Sequence, residues 1–167
     1  SLFARLNEEL ARENVYGEIY LVGGAVMCLV FDARRSTIDV DAYFEPSQAI
    51  RKAAARVALA EQVSDKWLND AVKAYLSPTG KFAPFQTLSH LSVMTAQADY
   101  LLAMKCLAMR IGGEYHDVDD IRYLLRFQNI ETYDEALASI RKFYPIEKYP
   151  SRTLYALEEI LGGSESQ

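Results

Sequence analysis

The apolar run from Ile19 to Phe31, interrupted only by Gly23-Gly24, most constrains how this chain folds. Ile19 to Val22 is short, wholly apolar and partly β-branched, so it reads as a buried strand, and Ala25 to Phe31 reads as a buried helix. A strand, a glycine turn and a helix in that order belong to a layered α/β core. A run of about a dozen residues falls short of the roughly 20 that span a bilayer. Arg5, Glu8, Glu9, Arg12 and Glu13 stud the first predicted helix, where a secretory leader would be apolar. A soluble, cytoplasmic protein with no membrane partner is expected.

The segment after this run alternates. In Ile38-Asp-Val-Asp-Ala-Tyr-Phe44, Asp39, Asp41 and Tyr43 share one face of a predicted strand, and Ile38, Val40, Ala42 and Phe44 share the other. The two carboxylates then lie about 6.6 Å apart along the backbone, at roughly 3.3 Å per residue. Like charges this close repel, and a divalent cation between them turns that cost into binding, since magnesium takes a few carboxylates together with substrate phosphates. Two ordinary surface acids on an edge strand are the plain alternative. Gly23-Gly24 adds a place where backbone approaches a ligand closely and the amides of a helix start face an anion. No Lys-Ser or Lys-Thr follows, so this is not a P-loop, and a tight turn without a ligand stays open.

Elsewhere the pattern is mainly helical. Leu2, Leu6 and Leu10 mark a helix over 2–13; Pro46 opens an Ala-rich helix ending near Glu61; and periodicity predicts helices over 98–111, 117–127, 132–143 and 151–161. Between them, Trp67 to Leu76 reads as a helix, Pro78, Gly80 and Pro84 as loop, and a strand falls within Leu88–Thr95. The fold class is α/β (α+β), with a mixed central sheet in residues 1–96, a helical bundle in 97–161 and a tail at 162–167. With 167 residues, half of them apolar, one continuous core is expected. Cys28 and Cys106 read as reduced core thiols, and with only His90 and His116 beside them a zinc site lacks soft ligands.

Charged positions inside apolar stripes carry the remaining signal. At about 100° per residue, Lys105 falls among Ala98, Leu101, Leu102, Ala108 and Met109, so its ammonium must meet an acid or a phosphate, or reach a cleft. Asp117 and Asp120 fall in the arc of Ile121, Leu124, Leu125 and Phe127, whereas Asp119 points outward with Arg122 and Arg126. A structural ion pair of Lys105 with Asp120, with Asp117 capping its helix, is one account; the sharper one puts Lys105, Asp117 and Asp120 across a cleft from Asp39 and Asp41. Arg34, Arg35, Arg51, Lys52 and Arg56 flank the acidic strand in sequence. They form either a solvated face or a patch that steers a triphosphate or RNA backbone, with Arg35 and Thr37 nearest the acids. The net charge of −5 argues against indiscriminate coating of nucleic acid.

Four segments in order resemble the motifs of AbiEii-like nucleotidyltransferases, members of the polymerase-beta-type superfamily often found as toxins of bacterial toxin–antitoxin pairs. They are Gly23-Gly24, Arg35-Ser-Thr-Ile-Asp-Val-Asp41, Ala103-Met-Lys-Cys-Leu-Ala-Met-Arg110 and Asp117-Val-Asp-Asp120-Ile. Trp67-Leu-Asn-Asp-Ala-Val72 is similar to a small bacterial subgroup, and the resemblance covers roughly residues 18–127. It implies a nucleotidyltransferase fold in which Gly23 and Gly24 grip nucleotide phosphates and Asp39 and Asp41 bind Mg2+ or Mn2+. Lys105 would contact the triphosphate, and Asp117 with Asp120 would match the downstream acidic motif. The implied activity moves a nucleotide from a nucleoside triphosphate to a hydroxyl on RNA, such as a tRNA end, or on protein, with a cognate antitoxin as a partner. Active members usually add a third acid from a later central strand, and Leu88–Thr95 contains none. A nucleotide- or RNA-binding protein of the same fold is therefore the alternative.

Overall fold

The structure, a computed structural model, describes residues 1–31, 39–110 and 115–162. It is α/β, with a five-stranded mixed sheet and seven α-helices among those residues. The elements in order are α1 (Leu2–Arg12), β1 (Gly17–Val22), α2 (Gly24–Leu29), β2 (Val40–Glu45), α3 (Ser47–Glu61), β3 (Leu68–Asn69), β4 (Phe82–Thr87), β5 (Leu91–Ala96), α4 (Ala98–Leu107), α5 (Asp117–Phe127), α6 (Tyr133–Ile140) and α7 (Ser151–Leu157). The chain divides into two compact units, one of Ser1–Leu76 with Phe82–Ala96, the other of Ser77–Lys81 with the residues from Gln97 onward.

In the first unit the strand order is β3-β2-β1-β5-β4. β1 runs antiparallel to β2 and parallel to β5, β2 is parallel to β3, and β4 closes the far edge antiparallel to β5. Period-two alternation gives this sheet two unlike faces. Ile19, Leu21, Ala42, Phe44, Leu91 and Val93 are buried on one of them. That face meets α1 and α3, whose Leu6, Leu10, Ile50, Ala53 and Val57 are buried with it. At Gly17 the approach is so close that a Cβ would stand 2.9 Å from Ile50 Cδ1 and 3.1 Å from Leu10 Cδ1. The opposite face carries Glu18, Tyr20, Asp41, Tyr43, Glu45, Ser92 and Met94, all exposed or half-buried.

Two sequence expectations in this unit are corrected. Trp67 to Leu76 is not a helix: it is the two-residue strand β3, then a 3-10 turn over Ala71–Tyr75. The reason is local and tertiary at once. Asn69 Oδ1 accepts from Ala71 N at 3.4 Å, competing with helical bonding, and Val40 N donates to Trp67 O at 2.7 Å, drawing the segment alongside β2. The loop expected around Pro84 is instead strand β4, a sheet edge with a register shift between Pro84 and Gln86 that tolerates the proline.

The second unit is helical. α4 lies against α5 and α6, with Tyr100, Leu101, Leu102, Cys106, Met109, Leu124 and Ile140 buried. The capping box of α6, Thr132 with Glu135, satisfies its first amides. α4 ends at Leu107 rather than near 111, α6 at Ile140 rather than 143, and α7 continues past Leu157 as a wider π turn over Glu158–Gly162. Ser77 and Thr79 bind this unit through Ser77 Oγ to Phe143 O at 2.6 Å and Thr79 Oγ1 to Lys142 O at 2.9 Å. Cys106 is buried and its thiol is pushed up by burial, whereas Cys28 is only half-buried; both are free. No helix among the described residues is long and apolar enough to cross a membrane.

Candidate functional site

β1 stops at Val22 because Gly23 takes φ 69° and ψ −147°, a backbone region that belongs almost entirely to glycine. In the antiparallel pairing of β1 with β2, Val22 lies opposite Asp41. The glycine turn and the second acid are therefore brought together by strand register. A methyl group at Gly23 would stand 3.3 Å from Asp41 Oδ2 and 3.9 Å from Asp41 Cβ, so the carboxylate lies directly over the bare backbone. Gly24 starts α2. Replacing Gly23 by alanine is expected to cost about 1–3 kcal/mol from backbone strain alone, before any displacement of Asp41. Gly24→Ala, inside a helix, should be neutral or mildly stabilising. Thermal melts of the two variants decide it: equal costs would remove the special role of Gly23.

Asp39 is exposed and stands one residue before β2, which begins at Val40. Arg35 and Thr37, with Arg34, lie outside the described residues. The third-acid position can be read from register. β5 presents Ser92, Met94 and Ala96 on the face that carries Tyr20 and Asp41, so it places no carboxylate there. Asp70, which directly follows the Asn69 that pairs with Asp41, is engaged by Arg51. Among the described residues no three or more His, Cys, Asp or Glu side chains gather as a metal cluster would require. Magnesium keeps several waters and shares its shell with phosphate oxygens, so a site of this kind needs few protein carboxylates.

Two of the flanking cations are spoken for. Arg56 donates to Glu9 at 2.7 Å and also pairs with Glu13, and Arg51 pairs with Asp70, so both tie α3 to neighbouring elements. Lys52 is exposed. Arg51 and Arg56 thus sit in surface ion pairs, with side chains 55% and 40% exposed.

Lys105, Asp117 and Asp120 come together inside the second unit. Lys105 Nζ lies 3.3 Å from Asp117 Oδ1 and 2.8 Å from Asp120 Oδ2, and the three side chains are at most 9% exposed. Arg110 joins them, its Nε donating to Asp117 Oδ2 at 3.0 Å and its backbone amide to the same oxygen at 2.8 Å. Burial alone would raise the Asp117 carboxyl, but the bonds from Arg110 and the charge of Lys105 hold it below the usual carboxylate range. The demand that Lys105 meet an acid is thus satisfied twice over. Asp117 is not the cap residue, which is His116, although it does occupy the first turn of α5 where negative charge is favoured.

No protein-family model, curated protein or solved structure matches this chain. Its chemistry has to be argued from its own geometry.

The polar sheet face holds residues that sequence reading did not single out for function. Tyr20 and Tyr43 face one another across β1 and β2 with ring centroids 5.9 Å apart. Phe82 of β4 meets Tyr20 edge-on at 5.1 Å. Tyr20 Oη donates to Glu18 Oε1 at 3.1 Å, and Tyr43 Oη donates to Glu45 Oε1. Both phenols are shifted up, Tyr20 by burial first and then by Glu18, Tyr43 chiefly by its bond to Glu45. The available signal was the i, i+2 spacing that puts Tyr43 on the face of Asp41; Tyr20 enters only through strand pairing. A groove of about 630 Å³ opens at the end of these strands remote from Gly23, with Tyr16, Glu18, Tyr43, Glu45, His90 and Ser92 in its wall. It is not the glycine–aspartate site, but Tyr43 stands between the two.

Proposed function

We propose that this protein carries out metal-dependent nucleotidyl transfer, with Asp39 and Asp41 holding Mg2+ or Mn2+ against the phosphates of a nucleoside triphosphate. The observation that supports this most directly is the Asp41 carboxylate lying over Gly23, in a turn whose backbone angles favour glycine. A carboxylate beside a glycine turn that opens a helix would bring a cation-binding and an anion-binding element to one spot, which a metal–triphosphate complex needs. When bound, the metal activates the attacking hydroxyl and neutralises the pyrophosphate that leaves. The chain's own task is to hold the acids in register and to keep Gly23 free of a side chain. The resemblance alone supplies a nucleotidyltransferase fold, a role for Lys105, an RNA or protein acceptor, and the setting of a toxin with its antitoxin.

The full chain incubated with magnesium and each α-labelled nucleoside triphosphate should transfer label to RNA or protein. Asp41→Asn and Asp39→Ala should reduce incorporation to background while leaving the melting temperature near that of the parent. A second reading is favoured by the residues of β5: with Ser92, Met94 and Ala96 where a third acid would stand, the same site binds nucleotide without transferring it. In that case nucleotide with magnesium raises the melting temperature and no label moves. Neither transfer nor stabilisation by any of the four triphosphates would discard both readings.

A further inference from the structure

We propose that the ring of Tyr43, braced by Tyr20, is the surface on which the nucleobase stacks when a nucleotide occupies the Gly23–Asp41 site. The proposal rests on the nucleotide reading above and adds where the base lies. Three observations carry it. Tyr43 follows Asp41 by two residues on the same strand and therefore projects from the same sheet face, about 6.6 Å further along. Its ring is held rather than free: the hydroxyl is bonded to Glu45 and Tyr20 lies 5.9 Å away, itself bonded to Glu18 and met edge-on by Phe82. Tyr43 also lines the groove of about 630 Å³, so open space adjoins it on the side away from Asp41.

Glu18 and Glu45 sit directly opposite one another at the far end of the strip, and neither forms an ion pair among the described residues. Two facing carboxylates disfavour phosphate at that end, where Lys73 is the one lysine in the groove wall, and the nucleotide reading places the triphosphate with the metal at the glycine end. The aromatic strip between suits a flat, uncharged ring. A base on an aromatic side chain gains binding with little dependence on sequence, because every base offers a π face. Pinning the tyrosines beforehand lowers the ordering cost of that contact.

The test compares binding of ATP and of inorganic tripolyphosphate, each with magnesium, by calorimetry on the full chain. Tyr43→Ala and Tyr43→Leu should weaken ATP roughly five- to hundredfold and leave tripolyphosphate unchanged, while Tyr43→Phe, which keeps the ring and loses only its bond to Glu45, should weaken ATP far less than either. Tyr43→Leu preserves an apolar strand residue, so a loss seen with leucine as well as alanine is not a folding defect. ATP binding that depends on Asp41 but ignores Tyr43→Ala and Tyr43→Leu would overturn the stacking role while keeping the nucleotide site. Equal loss of ATP and tripolyphosphate would overturn it too. Wild-type protein that binds neither ligand would instead remove the nucleotide reading itself.

Discussion

Replacing Lys105 by methionine is expected to destabilise the helical unit by about 3–5 kcal/mol, the cost of leaving buried charge without its partner. The shape of the side chain is nearly kept, so packing contributes little. Asp117 and Asp120, each almost wholly buried, lose the cation they share. Pairing Lys105→Met with Asp120→Asn should recover much of the loss, since one of the two carboxylates is then neutral. The effect also has a pH signature. Asp117 has a folded-state pKa below its unfolded value, so its stabilisation is present above the unfolded pKa of about 4 and is lost as pH falls through the folded value. The gap between parent and Lys105→Met in urea unfolding should therefore be widest near neutrality and shrink below about pH 4. A gap that is small, or that ignores pH, would show that the cluster is held by something other than charge.

The second large effect is expected at Trp67. This residue is 1% exposed, and its indole donates from Nε1 to Ala54 O on α3 at 3.0 Å while its ring lies 6.4 Å from Phe3 of α1. It joins β3 to both helices that cover the sheet. Trp67→Ala should cost about 3–5 kcal/mol through lost burial and the cavity left behind. Trp67→Phe should cost less, because the aromatic bulk stays and the loss is largely one hydrogen bond and part of the filled volume. Urea unfolding followed by far-UV circular dichroism separates the two, since the only tryptophan of the chain is the residue being changed. Similar midpoints for alanine and phenylalanine would mean that the site collapses around the smaller side chain.

These positions show what was legible in the sequence. α1 and α3 were readable because their apolar spacing is long and their limits are marked, by charge in one case and by Pro46 in the other. The Gly23 turn and the Asp41 strand were readable for the same reason, each being a local break or alternation, and their meeting followed once β1 paired with β2. Leu68, Val72 and Leu76 mimic helical spacing, but the backbone of Trp67 and Leu68 is claimed by β2, a partner more than twenty residues earlier that no local pattern announces. β4 was hidden by Pro84 and by its mostly exposed side chains, which alternate too weakly to mark a strand. Lys105 was flagged correctly as a charge that needs a partner. Its spacing did not say which of acid or phosphate supplies it, because a helical wheel reports direction and not distance.

The route of the chain between its two compact units limits how it can be divided. Residues Ser77–Lys81 belong with the helices, yet Phe82–Ala96 returns to the sheet before the helices begin in earnest. A single proteolytic or genetic cut after Ala96 therefore strips the helical half of Ser77 and Thr79, which bond to Phe143 and Lys142, and of Lys81, which shares Asp99 with Lys142. A cut before Ser77 strips the sheet half of β4 and β5, including the strand that runs parallel to β1. Neither half survives as one uninterrupted stretch of sequence, so swapping or borrowing one of them by simple recombination is closed to this architecture.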